Sequence, residues 1–221
     1  MDGKLHILWD MDGTLVDSAP EVYATIEKSL ASVGVDVLNA VKPLRIGPPV
    51  RMVIRNSFPE ELLSEEQLDG AVKAFRQIYD TSDFVNTNPF DGIDDIMHDT
   101  RFIHHIITNK PDLPTNRIVE FKGWKDCVAE VLTPNTLDGR NMSKPELFTY
   151  CRSEYPDASM IGVGDMALDC EAARAADIDA IGVLWGTGTQ EELENAECKY
   201  IVSDTDELKQ LLEHIDEYNT I

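Results

Sequence analysis

Short apolar runs and stripes of helical period alternate along this chain. Leu5–Trp9 is a brief apolar run that gives way to the polar stretch Asp10–Thr14, the pattern of a buried strand ending in a turn. From about Pro20 to Val33, the residues Val22, Ile26, Leu30 and Val33 recur at helical spacing, and Gly34 closes the segment. Ser18-Ala19-Pro20-Glu21 before it has the form of a capping box with proline in the first turn. After the irregular stretch Lys42–Pro49 a short helix is predicted near Val50–Phe58. Ser64-Glu65-Glu66-Gln67 is a second capping box, opening a helix to about Tyr79. Turn residues cluster at Asn86–Gly92, and the pattern then changes. Helices are predicted over Ile93–Thr100, Thr115–Phe121, Lys144–Arg152, Leu168–Ala176, Gln190–Asn195 and Thr205–His214. Between them lie strand-like segments at Phe102–Ile107, Val128–Leu132, Ser159–Val163, Asp179–Leu184 and Lys199–Val202.

Strands alternating with helices predict an α/β fold with a Rossmann-like parallel sheet flanked by helices. The first strand–helix unit is interrupted by the mainly helical block. Residues 17–88 therefore read as a small helical domain inserted into a core made of 1–16 and 89–221. Where its ends meet, at Val16–Ser18 and Thr87–Phe90, a two-stranded hinge is expected.

Charge narrows the range of partners. With 41 acidic against 19 basic residues the formal net charge is −22. No basic stripe exists to neutralise phosphates, which argues against nucleic acid or an anionic membrane as partner. A phosphorylated small molecule is also repelled at long range, and a bound divalent cation would reverse that field locally. The four cysteines, Cys127, Cys151, Cys170 and Cys198, show no C-x-x-C spacing, so reduced thiols in a cytoplasmic protein are expected. No apolar run approaches transmembrane length, and the acidic N-terminus does not resemble a signal peptide. A monomer or weak homodimer is expected.

Candidate chemistry starts at Asp10 and Asp12. Residues i and i+2 of an extended backbone share a face, so both carboxylates can aim into one pocket at the strand's carboxyl end. Two like charges that close need a cation between them, or one must hold a proton. Asp165 and Asp169 stand four apart, so a first helical turn puts them on one side, and with Asp10 they make an oxygen-rich set suited to Mg²⁺. Lys144 offers a point charge that offsets the crowded acids. His104 and His105 are neighbours on a strand and face opposite ways, so they cannot share one site.

Asp10-Met11-Asp12-Gly13-Thr14-Leu15 resembles motif I of the haloacid-dehalogenase-like (HAD) phosphotransferase superfamily, written D-x-D-G-T-L. Thr108-Asn109 is similar to its second motif, Lys144 to its third, and Gly164-Asp165-Met166-Ala167-Leu168-Asp169 to its fourth. All four occur in order, and the resemblance covers essentially the whole chain. It implies that Asp10 is the nucleophile, forming an aspartyl-phosphate, while Asp12 acts as general acid and then general base. It implies that Thr108, Asn109 and Lys144 contact the phosphoryl oxygens. Mg²⁺ would be held by a set drawn from Asp10, Asp12, Asp165, Asp169 and the main-chain carbonyl of Met11. The inserted block resembles the family's helical cap, where Arg45 or Arg51 could meet a second anionic group of the substrate.

The set D-x-D-G-T-L-x-D-S, Thr108-Asn109-Lys110 and Val183-Leu184-Trp185-Gly186 looks most like phosphoglycolate-phosphatase-like members. The expected activity is hydrolysis of small phosphomonoesters. The alternatives are a phosphomutase of the β-phosphoglucomutase kind and a silent binding or regulatory protein on the same scaffold. Two departures stand out: Trp9 replaces the usual Phe, and Asp177 stands where relatives commonly have glycine.

Overall fold

The structure is a computed structural model and describes residues 3–44, 46–137 and 140–219. The chain divides into two compact units, one of Met1–Asp17 with Pro89–Ile221 and the other of Ser18–Asn88.

The larger unit is built on six parallel strands: β1 (His6–Trp9), β4 (Ile103–Ile107), β5 (Val128–Leu132), β6 (Met160–Gly164), β7 (Asp179–Val183) and β8 (Tyr200–Val202). Their order across the sheet is β5-β4-β1-β6-β7-β8, a Rossmann-like arrangement. Helices α4 (Ile93–Met97), α5 (Asp112–Phe121), α6 (Lys144–Glu154), α7 (Ala167–Ala175), α8 (Gln190–Asn195) and α9 (Thr205–Asn219) connect or follow the strands. Ile7, Leu8 and Trp9 are wholly buried, as a central parallel strand covered on both faces requires. The strands β2 (Val16–Asp17) and β3 (Asn88–Pro89) pair as a separate two-stranded sheet.

The smaller unit contains α1 (Ala19–Ala31), a single 3₁₀ turn (Val37–Asn39), α2 (Val50–Ser57) and α3 (Glu65–Tyr79). Helix α3 packs on both α1 and α2. The capping box of α3 forms, with Gln67 N donating to Ser64 Oγ and Ser64 N to Gln67 Oε1. The box expected at Ser18 does not. Ser18 makes no side-chain cap, and Glu21 instead accepts from Ser82 Oγ at 2.6 Å and Asn86 N at 3.3 Å. Its carboxylate is drawn to donors at the far end of the same unit.

Other boundaries shift for local reasons. Helix α5 begins at Asp112, a turn before the expected Thr115, because Pro114 falls in a first turn whose N–H groups have no helical partner. Helix α4 stops at Met97 instead of Thr100, where Asp99 folds back to accept from the backbone and side chain of Arg101. Helix α9 runs past His214, whose ring stacks edge-on against Tyr218 one turn on.

One expectation is overturned. Cys170 and Cys198 form a disulfide, leaving Cys127 and Cys151 as free thiols. Cys198 follows Glu197, whose positive φ turns the chain back after α8. That turn brings the two Cα atoms to 5.3 Å across a separation of 28 residues, which spacing alone does not reveal. Among the described residues, no helix is long and apolar enough to cross a membrane.

Candidate active site

Asp10 follows directly on β1, Thr108 on β4 and Asp165 on β6, three adjacent strands of the sheet. This places their side chains together at the carboxyl edge, where open α/β sheets hold ligands. Carboxylate oxygens of Asp10, Asp165 and Asp169 all lie within 4.8 Å of one another. Lys144, at the first position of α6, points its Nζ into this cluster, 2.6 Å from Asp10 Oδ1 and in contact with Asp169 Oδ1. Lys144, Asp165 and Asp169 are all buried, and Asp10 is only 8% exposed.

The electrostatics follow from that crowding. Burial pushes the Asp10 carboxyl up to about 8, with Lys144 opposing and the charges of Asp169 and Asp165 adding to the rise. Burial also raises Asp165, against two donors from Thr187: its N–H at 2.7 Å and its hydroxyl at 3.0 Å. Burial opposes the Lys144 ammonium, but Asp10 and Asp169 outweigh it and hold its pKa above the ordinary lysine value. A lone ammonium is thus set against three carboxylates. The donor set is all oxygen and carries excess negative charge, which fits a hard divalent cation such as Mg²⁺.

Local backbone conformation makes the socket. Gly13 has φ +86°, and a Cβ there would come within 2.4 Å of Asp165 Oδ2. Gly186 is as tightly placed, its missing Cβ falling 2.3 Å from the same side chain. The Asp169 Oδ2 accepts from Met166 N at 2.9 Å, which fixes that carboxylate at the start of α7.

The other expected residues fall as follows. Asp12 is paired with Lys110, whose Nζ lies 2.9 and 2.8 Å from its two oxygens. The main-chain carbonyl of Met11 accepts from the N–H groups of Leu15 and Val16, each at 3.0 Å. Thr108 is buried, its Oγ1 accepting from Lys110 N at 3.1 Å, while Asn109 is exposed. Arg51, in the helical unit, forms ion pairs with Glu65 and Asp69. Arg45 lies outside the described residues.

Sequence reasoning missed three participants. Lys110 was legible as part of Thr108-Asn109-Lys110, but its partner is 98 residues away. Thr187 carries no local signal beyond its neighbouring glycines, and Thr14, which also reaches Asp165 Oδ1 at 3.5 Å, stands in motif I with no role assigned to it.

Comparison with known proteins assigns this arrangement to a family. Residues 7–183 match the haloacid dehalogenase-like hydrolase model, and the chain belongs to that family. A phosphoglycolate phosphatase of Xylella fastidiosa is 31% identical over 84% of this chain and 82% of its own length. A tyrosine-protein kinase, PtkA, of Mycobacterium tuberculosis is 26% identical over 93% of this chain and 72% of its own. The crystal structure of a predicted phosphatase from Clostridium acetobutylicum superposes with a TM-score of 0.76 at 27% identity, covering 95% of this chain and 99% of that one.

Proposed function

We propose that this protein is a Mg²⁺-dependent phosphatase of small phosphomonoesters, resembling phosphoglycolate phosphatases, that works through an aspartyl-phosphate on Asp10. The observation that carries the reading is the convergence of Asp10, Asp165 and Asp169 within 4.8 Å around the Lys144 ammonium. Phosphoryl transfer needs positioning and charge neutralisation more than covalent ingenuity. Mg²⁺ held by Asp10, Asp165 and Asp169 would draw negative charge from the phosphoryl oxygens.

The chain's own groups do the rest. One Asp10 oxygen attacks phosphorus while the bond to the ester oxygen breaks, and Asp12 gives that oxygen its proton. Asp12, now a carboxylate, then takes a proton from the water that attacks phosphorus. The second step releases phosphate and restores the Asp10 carboxylate. Lys144 and the Thr108 hydroxyl face the phosphoryl oxygens, with the Asn109 amide as a further donor. The helical unit Ser18–Asn88 serves as the cap that selects the ester, with Arg51 among its candidate anion contacts.

The similarity to a protein named as a tyrosine kinase gives a second reading, in which a group other than water accepts the phosphoryl. A panel of phosphate esters including 2-phosphoglycolate, run with Mg²⁺, separates the two. Free phosphate from wild type, falling on the order of 10⁴-fold or more in Asp10→Asn, is expected. Transfer to a protein tyrosine, or isomerisation that needs a sugar bisphosphate, would replace hydrolysis with the corresponding alternative. No Mg²⁺-dependent turnover of any ester would overturn the enzymatic reading.

A further inference from the structure

On strands β4 and β5 and helix α6, a second cluster of ligand-type side chains has no part in this chemistry. His105 on β4, Glu130 on the edge strand β5 and Cys151 on α6 bring a ring nitrogen, a carboxylate oxygen and Sγ within 4.8 Å of one another. His6, at the start of β1, stands next to it, whereas Asp10 lies beyond that strand's other end.

Three buried side-chain nitrogen or oxygen atoms among the described residues have no hydrogen-bond partner, and two of them are in this cluster. They are His105 Nδ1 and Glu130 Oε2, which face each other at 3.6 Å, too far for a hydrogen bond. Buried polar atoms are nearly always paired, so two orphans aimed at one point call for something between them. His105 is wholly buried, which keeps its imidazole neutral. Its Nε2 lies 2.9 Å from His6 Nδ1, and the tautomer that donates there leaves a lone pair on Nδ1 turned towards the carboxylate. A ring nitrogen free to ligate, its other nitrogen held by a second residue, is how metal-binding histidines are oriented.

We propose that His105 Nδ1, Glu130 Oε2 and Cys151 Sγ form a binding site for a transition-metal ion of the Zn²⁺ type. Imidazole, thiolate and carboxylate together select a borderline ion over Mg²⁺, and three protein ligands leave a fourth tetrahedral position for water. Glu130 sits on the sheet's edge strand with its side chain 28% exposed, so the ion approaches from that side. Binding releases the Cys151 thiol proton to solvent. The ion would tie α6, β4 and β5 together behind Lys144, a structural role independent of the activity proposed above.

The test uses the full chain, stripped with a chelator and titrated with Co²⁺ in excess Mg²⁺, which fills the acid cluster. A single Co²⁺ per chain is expected, with a thiolate-to-cobalt charge-transfer band that Zn²⁺ abolishes. The band is lost in Cys151→Ser, which separates this thiol from Cys127. Glu130→Gln, at a partly exposed position, keeps the fold by circular dichroism and weakens Co²⁺ binding at least tenfold. A folded wild type without the band, a band that persists in Cys151→Ser, or unchanged affinity in Glu130→Gln overturns the site.

Discussion

Lys110 Nζ grips both carboxylate oxygens of Asp12, at 2.9 and 2.8 Å, from the loop that follows β4. This pair is side chain to side chain and part-buried, with Lys110 8% exposed and the Asp12 side chain 21%. It holds the acid assigned to protonate the leaving group, and does so from a strand neighbouring the one that precedes Asp12. Lys110→Met is therefore expected to lower kcat by about 10²-fold, the usual scale for a misplaced general acid, with a much smaller change in KM. Lys110→Arg should recover part of the loss. Steady-state kinetics on one good ester checks both, and an unaltered kcat in Lys110→Met would dissociate the pair from catalysis.

Lys144 offers a thermodynamic test. Removing one member of a buried ion pair typically costs about 3–5 kcal/mol, because the remaining charge stays buried. Lys144→Met should lower Tm in metal-free buffer. A cation that binds only the folded form stabilises it by mass action, and in the variant no ammonium competes for Asp10 and Asp169. The rise in Tm on adding Mg²⁺ should then exceed that of wild type. Differential scanning fluorimetry measures it, and an equal or smaller rise contradicts the shared site.

Trp9 and His104 form a buried pair on the sheet, the indole N–H donating to His104 Nδ1 at 3.1 Å. Nε2–H of His104 donates to the Asp99 carbonyl at 3.2 Å, so both ring nitrogens are committed in the neutral form. Burial lowers the pKa of His104 below the ordinary histidine value. As pH falls, the unfolded chain takes up this proton first. The contribution is thus complete above about 6.5 and is lost as pH drops below it towards the folded pKa. Trp9→Phe should cost about 1–3 kcal/mol at neutral pH by orphaning Nδ1. It should also flatten the acid dependence, since Nδ1 becomes free to bind a proton. Urea titrations at pH 7.5 and 5.5 compare the slopes.

Asp177 closes α7 with φ +55°, and the bonds of the turn are those of a Schellman motif: Ile178 N to Ala173 O and Asp177 N to Arg174 O. The backbone keeps a conformation suited to glycine although the side chain is aspartate. Asp177→Gly is expected to raise stability by roughly 0.5–1 kcal/mol, the strain relieved being partly offset by unfolded-state entropy. A fall in the urea midpoint would show that the Asp177 side chain gives more than its backbone costs.

The parts legible in advance were those encoded locally. Asp10, Asp165 and Lys144 each follow a recognisable boundary, a strand end or a helix start, and the topology of a parallel sheet then collects them. The capping box at Ser64 could be read because both its partners lie within four residues. The one at Ser18 misled because Glu21 bonds to donors 61 and 65 residues further on. The Cys170–Cys198 bridge, the hold of Lys110 on Asp12 and the Thr187 donors to Asp165 escaped for the same reason: each is a long-range meeting. Helix α5 starts before the expected Thr115 because a proline, here Pro114, is tolerated within a first turn.

The strand order has a consequence for how this enzyme can change over time. β1, which Asp10 follows, is hydrogen-bonded on one side to β4 and on the other to β6, so Asp10, Thr108 and Asp165 are mounted on a single welded lattice. Drift in any one of them is resisted by backbone on both flanks. The 71 residues of the helical unit Ser18–Asn88 share no strand of that lattice. Substitutions within those helices therefore leave unaltered the strands that mount Asp10, Thr108 and Asp165.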